Sequence, residues 1–92
     1  MPTPDLSKDA RDFILTMQPK HARQILLRIL DLCGNPAPPD SKALKGTTGD
    51  FVRVDSGEYR IIYRVEAEVI KIPLIGKRND DEVYKEMKRK GL

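Results

Sequence analysis

The chain has one cysteine, one histidine and no tryptophan. The single cysteine, Cys33, excludes an internal disulfide and indicates a reducing compartment. A metal site needs several ligands, and His21 has no companions, so we expect neither a metal nor another cofactor. No apolar run approaches the roughly 20 residues of a membrane-spanning helix, and "MPTPDLSKDA" lacks the apolar core of a secretion signal. The sequence therefore predicts a cytoplasmic protein without membrane contact.

Positive charge is distributed unevenly along the 92 residues, which we expect to form a single domain, 1–92. Residues 1–40 carry five Lys/Arg and five Asp/Glu, whereas residues 41–92 carry twelve and nine, so the net charge of +3 arises in the second part. Such a modest excess is weak evidence for a polyanionic partner. On charge alone, a solvated surface of mixed charge is the simpler explanation.

The hydrophobic pattern predicts an α+β fold. Helical spacing predicts one helix over residues 7–17 and a second from Pro19 to about Leu32, joined as an antiparallel hairpin. From Phe51 the period changes from 3.6 to 2, which predicts three antiparallel strands with turns at "DSGE" and "EAE". "NDDEVYKEMKRK" predicts a C-terminal helix capped by Asn79 or Asp80. The order ααβββα describes a small antiparallel sheet with the helix hairpin packed on one face.

Two details of packing follow from the same patterns. Pro73 lacks a backbone N–H, so its strand should lie at an edge or contain a bulge there. The second helix should bury one stripe of side chains, predicted from their spacing as Ala22, Ile25, Leu26, Ile29, Leu30 and Cys33.

Arginine recurs on one face of the predicted sheet. If Val54 packs on the helices, alternation directs Arg53 to the opposite, open face, and Arg60 and Arg64 of the next strand follow it. Like charges that lie close together destabilise a sheet unless an anion joins them. Arginine can donate two parallel hydrogen bonds to phosphate oxygens, which lysine cannot, so the arginine bias favours binding of a nucleic-acid backbone over a merely solvated face.

The segments "EYRIIY" and "GKRNDDEVY" together resemble the RelE/ParE toxin superfamily, specifically its RelE branch of ribosome-dependent mRNA interferases. The similarity is close from Leu44 onward and follows only the general pattern in the helix hairpin. The second segment matches the branch in order and spacing, from the glycine through the arginine to the tyrosine. Members also begin with a β-strand, which the two prolines of "MPTPDL" should make short or absent here.

The resemblance implies a toxin that enters the ribosomal A site and cuts mRNA without a metal. The 2′-hydroxyl of the substrate attacks the adjacent phosphate and leaves a cyclic phosphate and a 5′-hydroxyl. The catalytic positions of the family fall on Arg53, Arg60, Arg78 and Tyr84. Arginines stabilise charge on the phosphate oxygens but cannot act as bases at neutral pH. Tyr84 either takes the 2′-proton or orients the hydroxyl, unless its ring only packs against Ile75.

One departure from the family concerns the strand before the "YR" motif. RelE-branch toxins usually carry two basic residues there, and this chain has Phe51 and Arg53, so one candidate base is missing. Lys45 and Lys77 are the possible substitutes. The residues expected to bind RNA or the ribosome are Lys45, Arg64, Lys77, Lys85, Lys88 and Arg89.

The resemblance also implies a cognate, RelB-like antitoxin that folds on binding and forms a hetero-oligomer with the toxin. Two other functions stay open. A ParE-like inhibitor of DNA gyrase has the same fold, although that branch generally lacks the full set of Arg60, Arg78 and Tyr84. A catalytically weakened RNA- or ribosome-binding relative would account for Phe51.

Overall fold

A computed structural model describes residues 2–46, 49–78 and 82–92. The elements are β1 (Thr3–Leu6), α1 (Lys8–Leu15), α2 (Pro19–Gly34), β2 (Lys42–Ala43), β3 (Val52–Ser56), β4 (Tyr59–Glu66), β5 (Val69–Lys77) and α3 (Glu82–Arg89). The five strands form one sheet in the order β1-β5-β4-β3-β2. The predicted α+β class is confirmed, with its helix hairpin, antiparallel meander and C-terminal helix.

Two short strands extend the meander at its edges. β1 is four residues long and pairs in parallel with β5, so the sheet is mixed rather than wholly antiparallel. The expectation of a short first strand is confirmed. β2 has only two residues and pairs antiparallel with β3. It was not predicted, since two residues are too few to show a period.

The predicted bulge at Pro73 is confirmed. The pairing of β4 with β5 shifts register between Ile62 and Arg64, where one residue of β4 opposes two of β5, Ile72 and Pro73. The carbonyl of Pro73 accepts a hydrogen bond of 2.6 Å from the Ser7 hydroxyl. The Pro73 carbonyl at the bulge therefore finds its hydrogen-bond donor at the start of α1. The same Ser7 oxygen accepts from the Ala10 N–H and so caps this helix.

Both faces of the sheet carry an apolar core. The α1–α2 hairpin covers one face, and this larger core includes Ile25, Ile29, Val54, Ile61, Tyr63, Ile70 and Ile75. α3 packs on the other face and builds a smaller core of Phe51, Ile62, Leu74, Val83 and Met87. The prediction of an open basic face is therefore wrong in part, because α3 covers some of it.

The buried stripe of α2 is shifted from the predicted one and includes Leu32, which was not predicted. Ile25, Ile29 and Cys33 are buried, as expected, but Leu26 is 45% exposed and Leu30 is 59% exposed. The spacing of apolar residues shows which residues share a face, whereas the rotation of the helix against the sheet decides which edge of that face is buried. Within the described part of the chain, no helix is long and apolar enough to span a membrane.

Candidate active site

Arg60 lies near the start of β4, where it faces Asp55 on β3 and Gly76 on β5. The turn between β3 and β4 contains only Gly57 and Glu58, and Gly57 has the positive φ of +59° that a tight turn often requires. This hairpin fixes the register and so brings Asp55 beside Arg60. The Arg60 side chain is only 13% exposed, so its charge needs partners within the protein.

Two side chains hold the Arg60 guanidinium. Nε donates to Asp55 Oδ1 at 2.9 Å, and Nη1 donates to Tyr84 Oη at 2.6 Å. The hydrogen bond to Asp55 is the main cause that raises the pKa of Arg60 above its ordinary value; burial opposes it, and the Tyr84 oxygen supports it. The other N–H groups of Arg60 form no hydrogen bond to the described residues. They are donors that an incoming anion can use.

α3 delivers Tyr84 to this site. Val83, the preceding residue, packs on Gly76 of β5, and a Cβ added to Gly76 would lie 3.2 Å from Val83 Cβ. The glycine therefore allows a close approach of α3 to the sheet. Tyr84 packs against the smaller core, whereas Ile75 belongs to the core on the hairpin face. The alternative that Tyr84 only packs against Ile75 is therefore not what the structure shows.

Arg53 lies on β3 two residues before Asp55 and so shares its face of the sheet. It pairs in register with Ile62 of β4 and with Lys42 of β2, and it is partly buried. Arg53 and Arg60 therefore share one face, as predicted, and they are diagonal neighbours on it, with the Asp55 carboxylate bonded to Arg60. Asp55 was missed because "DSGE" was interpreted as a turn, whereas β3 continues through Asp55 to Ser56.

Arg78 directly follows β5 and has an exposed side chain. Its backbone N–H donates to the carbonyl of Glu58 at 2.8 Å, which fixes the end of β5 to the β3–β4 turn. Among the described residues, its side chain forms no hydrogen bond with Arg60 or Tyr84. The proposed cap at Asn79 or Asp80 lies outside the described residues.

The position that is usually basic in the family is filled by an apolar ring. Phe51 is 5% exposed within the smaller core, and the Arg64 guanidinium carbon lies 5.6 Å from its ring centroid. Arg64 also donates to Glu66 at 2.5 Å. β3 therefore presents Arg53 as its one basic side chain, and Arg64 forms a second cationic position on the same face.

Lys77 lies on the other side of the sheet. It pairs with Tyr59, and both line a groove of about 350 Å³ together with Phe13 and His21 on the hairpin face. Lys45 is exposed in the loop after β2. Neither lysine forms a hydrogen bond with Arg60 or Tyr84 in the described part of the chain.

The basic residues of α3 are exposed, and two of the three lie at its C-terminal end. Lys88 and Arg89 occupy its last turn, and Lys85 lies one residue after Tyr84. Arg89 forms an ion pair with Glu86, and Lys90 forms one with Asp9 of α1 that lowers the pKa of the Asp9 carboxyl.

The site thus places an arginine and a phenol in contact at one end of the sheet of a small α+β domain. A family model for the ParE toxin of type II toxin–antitoxin systems (parDE) matches residues 3–82. The chain therefore belongs to the ParE toxin family, within the RelE/ParE superfamily. A search of curated proteins finds no match.

Solved structures match the fold over most of their length. A chain of the archaeal RelE–RelB complex from Pyrococcus horikoshii OT3 is 29% identical, with 84% of this chain and 93% of that chain covered and a TM-score of 0.71. Isolated E. coli RelE is 23% identical, with both chains fully covered and a TM-score of 0.72. A chain of the toxin–antitoxin complex RelBE2 from Mycobacterium tuberculosis is 21% identical, with coverage of 85% and 100% and a TM-score of 0.73. The chain thus shares the fold of RelE toxins.

Proposed function

We propose that this protein is a type II toxin that cleaves mRNA in the ribosomal A site and thereby stops translation in the cytoplasm. The observation that carries the proposal is the 2.6 Å contact between Arg60 Nη1 and Tyr84 Oη. These two positions match the motif residues of the RelE branch. The two residues are 24 positions apart in the sequence, on β4 and α3, and the fold brings their polar ends together on one face.

The chemistry follows from what these groups can do. The substrate's 2′-oxygen forms a bond to the adjacent phosphorus, and the bond from phosphorus to the 5′-oxygen breaks. Charge builds on the non-bridging phosphate oxygens, and the free N–H donors of Arg60, with Arg53 and Arg78, stabilise it. Tyr84 Oη accepts from Arg60, so it is oriented either to take the 2′-proton or to hold the 2′-hydroxyl in line. The leaving 5′-oxygen takes a proton from solvent.

The direct test is cleavage on programmed ribosomes, with single-turnover rates at saturating ribosome concentration. Tyr84→Phe keeps the ring and removes only the phenol oxygen, so the rate should fall roughly 10²-fold with binding little changed. Tyr59→Phe is the matched control, because it removes a phenol oxygen next to Arg60 in sequence but on the opposite face. Equal rates for Tyr84→Phe and the unsubstituted protein would remove Tyr84 from the mechanism.

Arg78→Ala tests the second cation of the family motif. If Arg78 meets the phosphate in the complex, its loss should slow cleavage roughly 10²-fold to 10³-fold, as for an oxyanion donor. A folded Arg78→Ala protein that cuts at the normal rate would exclude it from the site.

The alternative function, inhibition of DNA gyrase, is favoured by the family model itself, which is that of ParE. Brief expression followed by mapping of mRNA 5′ ends separates the two functions. Cuts confined to translated frames support the nuclease. Relaxed or linearised plasmid with intact mRNA supports the gyrase inhibitor.

We also propose that a RelB-like antitoxin binds this toxin, since the Pyrococcus horikoshii and E. coli relatives are found in RelE–RelB complexes. Coexpression with the protein encoded beside it should yield a stable hetero-oligomer and suppress growth arrest. Elution of the two proteins as separate species would contradict this pairing.

A further inference from the structure

Asp55 is an acid in a site that should attract phosphate. Asp55 lies directly opposite Arg60 on the neighbouring strand and shares a face of the sheet with Arg53. An acid there repels an anionic substrate, so its presence calls for a physical reason. Asp55 is 34% exposed and Arg60 only 13% exposed, so the ion pair offsets part of the cost of burying the Arg60 charge, but this alone does not require a bond to any particular N–H of Arg60.

The contact geometry supplies a better reason. Asp55 Oδ1 accepts from Nε of Arg60, which is the donor nearest the backbone, whereas Nη1 at the outer end reaches Tyr84. An arginine held at Nε cannot rotate its guanidinium freely, and it presents its remaining N–H groups in one direction. The planar fork is then preorganised for two parallel hydrogen bonds to phosphate oxygens.

We propose that Asp55 is a positioning residue, which fixes the Nε edge of Arg60 so that the outer N–H groups of Arg60 face both the scissile phosphate and Tyr84. The inference rests on the proposed nuclease function for its catalytic consequence. Asp55 itself touches neither substrate nor the reacting atoms, and it acts through Arg60.

The proposal predicts opposite effects on binding and on chemistry. Removal of the Asp55 charge makes the site more positive, so RNA should bind equally well or more tightly. The cleavage step should nevertheless slow, because Arg60 no longer has one orientation when charge builds on the phosphate. A residue that only stabilised the fold would weaken binding and chemistry together, or leave both unchanged in the folded fraction.

The experiment compares Asp55→Ala and Asp55→Asn in single-turnover cleavage of ribosome-bound mRNA, with affinity measured separately. Asp55→Ala should lower the cleavage rate roughly 10-fold to 10²-fold without weaker binding. Asp55→Asn keeps a hydrogen-bond acceptor of the same shape without the charge, so its cleavage rate should fall less, by about 10-fold. Asp31→Asn removes the same charge from an exposed position on α2 and should leave the rate unchanged. A folded Asp55→Ala protein that cuts at the normal rate would overturn the proposal.

A second readout separates this inference from the proposed function. The Nε proton of Arg60 can be followed by ¹⁵N NMR in the full chain without any substrate. In the unsubstituted protein it should exchange slowly with solvent, and in Asp55→Ala it should exchange at the rate of an exposed arginine. If the protein fails to cut ribosome-bound mRNA but this difference is seen, the nuclease function fails while Asp55 still positions Arg60. Equal exchange in both proteins would refute the positioning role, whatever the protein cleaves.

Discussion

Replacement of Gly76 by alanine tests how closely α3 must approach the sheet. The added Cβ would lie 3.2 Å from Val83 Cβ, 3.5 Å from Val83 Cγ2 and 3.9 Å from Val83 Cα. Carbon atoms in favourable contact are about 3.5–4.0 Å apart, so α3 must move out by a few tenths of an ångström. Rotation of the Val83 side chain cannot relieve the contact, because Cβ is the fixed stem of the side chain.

The expected size of the effect combines two opposing contributions. Overpacking of a well-filled site costs about 1–3 kcal/mol, whereas a glycine-to-alanine change stabilises by about 0.4–1 kcal/mol through the unfolded state. The net loss should be about 1–2 kcal/mol. For a domain of this size, such a loss lowers Tm by roughly 4–16 °C. Outward movement of α3 also lengthens the contact from Tyr84 to Arg60, so the proposed cleavage should slow by up to about 10-fold.

A double-mutant cycle checks whether the contact with Val83 is the cause. Val83→Gly alone removes the whole buried side chain, including the Cβ that the added methyl group meets, and should cost about 2.5–4 kcal/mol. In the Gly76→Ala/Val83→Gly protein the clash is absent, so the total loss should be smaller than the sum of the single losses by about 1 kcal/mol. Urea unfolding of the four proteins gives all the free energies required. A Tm for Gly76→Ala equal to or above that of the unsubstituted protein, or additive losses in the cycle, would show that close approach of α3 is not needed.

Three further predictions concern stability. Ala67 has a left-handed φ of +53° in the β4–β5 turn, so Ala67→Gly should stabilise the protein by up to about 1 kcal/mol in urea unfolding; a loss would contradict this. Ser7→Ala removes both the α1 cap and the hydrogen bond to Pro73, and should lower the free energy of unfolding by about 1–2 kcal/mol; no change would refute the double role. Burial raises the pKa of Cys33 above its ordinary value of 9.0 and that of Tyr63 above 10.0, so the unfolded chain releases these protons before the folded one does. Stability should be unaffected by these groups well below pH 9 and should fall as the pH rises through 9 and beyond. In a Tm series from pH 7 to 11, Cys33→Ala should show a smaller fall than the unsubstituted protein.

Much of the fold could be predicted because its signals are local. The Ser7 cap, the break before Pro19 and the change of period at Phe51 each depend on a few neighbouring residues. The bulge at Pro73 followed from a missing donor, which is a property of one residue. By contrast, the parallel pairing of β1 with β5 joins segments more than 60 residues apart, and no local pattern in a four-residue strand encodes its partner.

The residues of the candidate site were proposed from the family motif, whereas their contacts could not be predicted from the sequence. Arg60 and Tyr84 were found through the family motif, and the structure brings them into contact. Asp55 was not found, because an acid before "SG" is typical of a turn, and only the register of the hairpin shows that it faces Arg60. The rotation of α2, which leaves Leu26 and Leu30 exposed, likewise depends on packing against the whole sheet.

The position of Tyr84 depends on the smaller core. α3 has eight residues, and an isolated helix of that length is marginal in water, so it is ordered because Val83 and Met87 are buried against the sheet. The same packing fixes the direction of the Tyr84 side chain, whose oxygen then accepts a hydrogen bond from Arg60. Arg60 in turn is held from the other side by Asp55, which belongs to a different element. Tyr84 and Arg60 therefore keep their hydrogen bond only while α3 is packed on Gly76. A substitution that loosens the smaller core should disturb the site before it unfolds the larger core beneath the helix hairpin.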